Sequence, residues 1–248
     1  MHARSDLQRG LARRLALHQR LFDPQVEPRN RLPWLKPLQA WQARRLERSF
    51  DAFLRDPARR PAAYFFLTDV YGDHDFSRRD ADIARVIPMM QRLLPAALLE
   101  TVADGIALAA LSHALDLRMA QALQALSPRV RALDVALYAQ AYRRVGRARL
   151  RERQIALIDE VGQGLAEALR LPGVHSLLRL SRLPARAAGL GALQSFLERG
   201  CTAFAGLGDA AGFLADIRRS ETIAMRRLFA GDADPFEGGI GQARAPGT

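Results

Sequence analysis

Apolar positions recur every three to four residues along nearly the whole chain, the spacing of one face of an α-helix. Leu7, Leu11, Leu15, His18 and Phe22 set the first such register. The pattern predicts helices over about 4–22, 37–55, 59–71, 78–94, 96–126, 129–170, 173–182, 189–205 and 209–230. Segment 96–126 is apolar around most of its circumference, through Leu98, Leu99, Val102, Ile106, Leu111, Leu115, Met119 and Leu123, which marks it as the buried central helix. Strand signals are scarce: β-branched residues are sparse and no run alternates cleanly. The expected fold is therefore all-α, a globular bundle of about eight or nine helices in one domain over 1–230, with a glycine-rich disordered tail over 231–248.

Proline punctuation agrees, because Pro33, Pro37, Pro57, Pro61, Pro95, Pro128, Pro172 and Pro184 fall between periodic segments, where a missing N–H does least harm. Pro88 lies inside a helical pattern and is expected to kink or divide 78–94.

Composition narrows the classes. The 248 residues are 49% apolar, enough for a substantial core. No apolar run approaches the roughly 18–20 residues needed to span a bilayer. The basic N-terminus reads as an amphipathic helix rather than a targeting peptide, and its Arg9, Arg13, Arg14 and Arg20 would suit either an anionic membrane surface or docking on the domain. Cys201 is alone and cannot form an internal disulfide, so nothing argues for an oxidising compartment and a cytoplasmic location is expected. The net charge of +11 divides into +8 over 1–60, −2 over 61–140, +6 over 141–190 and −1 over 191–248. Lys36 is the single lysine; such arginine and alanine usage resembles GC-rich bacterial codon bias, so nucleic-acid binding is not supported beyond net charge.

The densest concentration of chemistry is Tyr64-Phe65-Phe66-Leu67-Thr68-Asp69-Val70-Tyr71-Gly72 followed by Asp73-His74-Asp75-Phe76-Ser77-Arg78-Arg79-Asp80. Phe65, Phe66, Val70 and Tyr71 at helical spacing suit core packing, Gly72 suits a helix end, and Ser77 with Asp80 suits the N-cap of the next helix. The same junction makes Asp69, Tyr71, Asp73, His74, Asp75, Arg78 and Arg79 candidates for a ligand pocket. Residues 65–71, Phe-Phe-Leu-Thr-Asp-Val-Tyr, resemble the signature of an uncharacterised bacterial family with the motif Phe-Phe-Leu-Glu-Glu-Ile-Tyr. Thr68 and Val70 depart from it, and the resemblance implies no catalytic residue.

Asp69 and Asp73 are four apart, like the Mg²⁺-binding pairs of helical prenyl-diphosphate enzymes, but Asp216 and Glu221 do not reproduce the second acidic motif such enzymes need. A di-iron site would need repeated Glu-x-x-His. His113-Ala114-Leu115-Asp116 has the reverse order, which favours a core histidine bonded to a neighbour such as Asp116. Glu100 with Asp104, and His175, gain no further support. No nucleophile elbow, P-loop or dinucleotide fingerprint is present. The sequence identifies no catalytic residue, cofactor or metal.

Arg143, Arg144, Arg147, Arg149, Arg151 and Arg153 crowd one predicted helix, and Arg143, Arg147 and Arg151, spaced by four with Arg144 beside them, would form a stripe facing an acidic protein or other polyanion. No aromatic interleaves them after Tyr142, which argues against stacking on bases. The reading favoured is a binding, regulatory or scaffold protein rather than an enzyme; the alternative is an enzyme or a small-ligand or metal carrier with a pocket near Asp69, Asp73, His74 and Arg78.

Overall fold

A computed structural model describes residues 2–70, 96–170 and 191–237, together with Ser176, Leu180 and Arg182. Its described residues hold nine α-helices and no strand: α1 (His2–Phe22), α2 (Leu35–Ser49), α3 (Asp51–Arg55), α4 (Arg60–Phe65), α5 (Ala96–Leu126), α6 (Val135–Val145), α7 (Ala148–Arg170), α8 (Gly191–Ala205) and α9 (Ala210–Ala230). A 3-10 turn at Pro28–Arg31 precedes α2, and a π-helical turn at Phe66–Val70 follows α4. The all-α expectation holds.

The 31-residue α5, about 46 Å long at 1.5 Å per residue, is the axis of the bundle, packing against α1, α2, α6 and α7. Leu99, Leu115, Leu117, Met119 and Leu123 are fully buried along it. Helix α9 packs on α6 and α7, and α8 on α4 and α7. Helices α7 and α9 approach closely because Gly162 lacks a side chain: a Cβ there would sit 2.4 Å from Leu214 Cδ2.

Two predicted helices are each divided. The one expected over 37–55 breaks at Phe50, whose φ of −90° and ψ of 1° leave the helical path while its ring goes into the core. The one expected over 129–170 starts only at Val135, capped by Asp134, whose carboxylate accepts the Leu137 N–H at 2.7 Å. It then breaks at Gly146 and Arg147, both at positive φ (+63° and +65°). Gly146 adopts ψ −132°, a conformation open to glycine and costly for other residues. The first part of the expected tail also differs: Pro235 is fully buried, and Phe236 packs on Trp41 and Tyr138 at centroid distances of 5.9 and 6.2 Å. That apolar pair holds 231–237 against the bundle, while 238–248, Pro88 and the predicted 78–94 and most of 173–182 lie outside the described residues.

Candidate functional site

The aromatic half of the motif is core. Phe65 and Phe66 are buried, and Phe66 meets Phe50, Phe204 and Phe213 at 5.9 to 6.5 Å. Of its polar half, Asp69 is described: Arg199 of α8 donates to Oδ1 from Nε at 2.9 Å and Nη2 at 2.5 Å, and the Thr68 hydroxyl lies 2.9 Å from Oδ2. Asp69 thus fastens the π turn to α8. Tyr71, Asp73, His74, Asp75, Arg78 and Arg79 lie outside the described residues.

The arginine stripe loses its premise with the break at Gly146, since Arg143 is on α6 and Arg151 on α7. Arg143 donates to the Leu228 carbonyl at 3.3 Å, near the C-terminus of α9, where a cation is favoured. Arg144 and Arg147 are exposed. Arg151 is only 6% exposed and lies over the Tyr142 ring, 4.6 Å from its centroid.

Arg151 belongs to a set of fully or partly buried charges invisible to the periodicity argument. Arg45 of α2 pairs with Glu221 of α9 at 2.7 Å and faces the Phe236 ring at 4.6 Å. Asp116 of α5 accepts from Gln42 at 3.1 Å, and burial pushes its carboxyl up to about 6 despite the opposing pull of Arg151. Gln154 accepts from Arg151 Nη1 at 3.2 Å and donates to the Ser112 hydroxyl at 2.8 Å. Burial also raises the Tyr142 phenol, so its hydroxyl keeps its proton.

His113 is a core histidine as expected, but with Asn30 rather than Asp116 as its partner: its Nε2 lies 2.7 Å from Asn30 Oδ1. Phe22 stacks between His18 and His113 at 4.4 and 3.9 Å, and burial with the neighbouring His18 lowers His113 to about 4. Asp116 turns instead toward Gln42 of α2. Asp216 and Glu221 are engaged in ion pairs, Asp216 with Arg59 at 2.8 Å and with Arg219. Burial raises the Cys201 thiol to about 11, so it is not an activated nucleophile. Among the described residues no three His, Cys, Asp or Glu side chains gather as a metal site requires, and no helix is long and apolar enough to cross a membrane.

A concave surface does exist between α7 and α9. Its volume is about 560 Å³, and Ala211 and Ala215 leave it room. Arg218, Arg219, Thr222 and Arg226 line one side and Asp159 and Gln163 the other. Asp159 is buried; it holds Arg218 at 3.2 Å and accepts from Gln163 at 3.0 Å. Asp159 pairs with Arg218 and Asp216 with Arg219, so Arg226 is the lining arginine that makes no ion pair among the described residues, and three arginines against two carboxylates leave the groove positive. Arg218, Thr222 and Arg226 recur at i, i+4, i+8, so this stripe was present in the sequence, overshadowed by the denser run at 143–153.

No curated protein and no solved structure matches the chain. A family model described as a domain of unknown function, DUF8198, matches residues 21–235, from the end of α1 to the segment after α9, and the chain belongs to that family.

Proposed function

We propose that this protein works by binding, and that the arginine-lined groove between α7 and α9 receives an acidic segment of a partner. The observation that carries this reading is the convergence of Arg218, Arg219 and Arg226 on one concave surface of about 560 Å³. A single exposed ion pair contributes little, about 0–1 kcal/mol. Several guanidinium groups in one concavity act together, steering an anionic chain and fixing its register. Arg144 and Arg147, exposed at the α6–α7 corner, offer a second cationic face. The alternative of a pocket around Asp69 gains nothing from that residue, whose carboxylate is engaged by Arg199 and Thr68.

The test is binding of a polyglutamate peptide to the full chain and to Arg218→Glu/Arg226→Glu. The double reversal is expected to weaken binding at least tenfold, and binding is expected to fall steeply between low and physiological salt. Unchanged affinity in the reversed, folded protein overturns the groove. A loss confined to Arg144→Glu/Arg147→Glu moves the site to the α6–α7 corner.

A further inference from the structure

Arg151 stands apart from the other interior charges. Its neighbour in the same polar layer, Arg45, has a carboxylate of its own in Glu221, although its buried Nε lacks a hydrogen-bond partner. Arg151 is 6% exposed, makes no ion pair among the described residues, and leaves both Nε and Nη2 buried without an acceptor. Nη1 is the nitrogen already used, by Gln154.

The identity of the two open atoms matters. Nε–H and Nη2–H point the same way from one edge of the planar guanidinium, the edge that meets both oxygens of a carboxylate or two oxygens of a phosphate. Arginine keeps its proton, so burial cannot relieve the charge by neutralising it. An unpaired buried charge costs several kcal/mol, which an anion offsets better than a neutral acceptor. Asp116 does not fill the role: it makes no ion pair with Arg151, and its Oδ1 accepts from Gln42 of α2 at 3.1 Å. The face of the Tyr142 ring, 4.6 Å from Arg151 Cζ, fixes the plane of the fork, and Gln154, itself held by Ser112, fixes its rotation. The guanidinium is thus oriented by groups that leave its buried bidentate edge without an acceptor.

We propose that the Nε–Nη2 edge of Arg151, between α6 and α7, is an interior oxyanion site that grips the carboxylate or phosphate of a small ligand. This site is separate from the α7–α9 groove and does not depend on it.

The experiment titrates the full chain with inorganic phosphate and, separately, with acetate, observing the arginine Nε–H groups by ¹⁵N-resolved NMR. One Nε–H resonance, missing from Arg151→Lys, is expected to shift saturably with at least one probe, and the probe that acts distinguishes phosphate from carboxylate recognition. Arg151→Lys keeps the charge and loses the fork, and is expected to bind at least tenfold more weakly. Gln154→Glu, nearly isosteric, supplies a carboxylate beside the guanidinium and is expected to abolish probe binding even where Arg151→Lys fails to fold. Arg218→Gln/Arg219→Gln/Arg226→Gln is expected to leave the response unchanged. The proposal is overturned if no Nε–H shifts saturably, if Arg151→Lys or Gln154→Glu binds as the wild type does, or if the groove variant removes the response.

Discussion

Helix α9 serves two cores of different chemistry. Its N-terminal half sends Phe213, Leu214 and Ile217 among Phe50, Phe53, Phe65, Phe66 and Phe204, where the rings meet one another at angles from tilted to perpendicular. Its C-terminal half sends Met225 and Leu228 among Trp34, Leu38, Trp41, Tyr138 and Tyr142. The second core is laced with polar groups. The Trp34 indole donates to the Ser127 carbonyl at 2.7 Å, Trp41 stacks on Tyr138 at 4.3 Å, and Arg45, Asp116, Arg151 and Glu221 lie in the same region.

The phenylalanine core depends on shape and area, so its stability responds to lost volume. The tyrosine core depends on each charge finding its complement, so it responds to lost partners even when volume is kept. Candidate chemistry is spread over both: Phe65 and Phe66 of the motif are spent on packing, Asp159 is buried beside Ile158 of the phenylalanine core, and Arg151 is buried in the tyrosine core.

The largest effect expected is in the phenylalanine core. Phe66→Ala removes a ring shared by Phe50, Phe204 and Phe213, at a cost of about 3–5 kcal/mol. Urea unfolding measures it; a cost below about 1 kcal/mol would mean that the motif is not core.

Legibility in the sequence divides along the same line. Helix α5 has the predicted bounds of 96–126, and α1 and α9 fall within two residues of theirs, because a continuous apolar face and terminal signals coincide there. The division of 129–170 was hidden because the arginine spacing runs through the break unchanged; an arginine at φ +65° carries no sequence signal. Charged residues almost always belong on the surface, so nothing in the sequence singles out Arg151 for the interior. Its burial depends on where Tyr142 and Gln154 end up after the break, a tertiary fact. The groove was half legible: its arginine period is in the sequence, whereas its concavity depends on how α7 and α9 pack, with Ala211 and Ala215 leaving room between them.

A middle-sized effect distinguishes charge pairing from packing in the tyrosine core. Glu221→Gln keeps shape and leaves the Arg45 guanidinium without its counter-charge, at about 2–3 kcal/mol, less than a fully buried pair because both side chains keep some exposure. Arg45→Met/Glu221→Leu removes both charges and is expected to fall within about 1 kcal/mol of the wild type. A double variant that costs the sum of its singles would mean that the region behaves like the phenylalanine core and that the comparison fails.

The smallest effect carries a sign that only the polar core can produce. The Asp116 carboxyl titrates at about 6 in the fold against 3.8 when unperturbed. A raised carboxyl favours folding fully below 3.8, and the advantage is lost as pH rises through 6. Two units correspond to about 3 kcal/mol as an upper bound. Asp116→Asn keeps an acceptor for Gln42 and never ionises, so it is expected to be more stable than the wild type by about 1–2 kcal/mol at pH 7.5, with the gap closing toward zero at pH 4. His113, lowered to about 4, and Glu27, held down to about 2 chiefly by the Arg29 hydrogen bond, lose stability in the opposite direction, as pH falls. Both are common to the two proteins and cancel in the difference. The measurement is the difference in unfolding free energy between variant and wild type at pH 4, 5, 6 and 7.5. A gap that is flat across this range would place Asp116 in ordinary contact with water, and a gap of opposite sign would mean that Arg151 stabilises the ionised carboxylate more than burial penalises it, pairing the two charges and closing the edge that Arg151 otherwise leaves open.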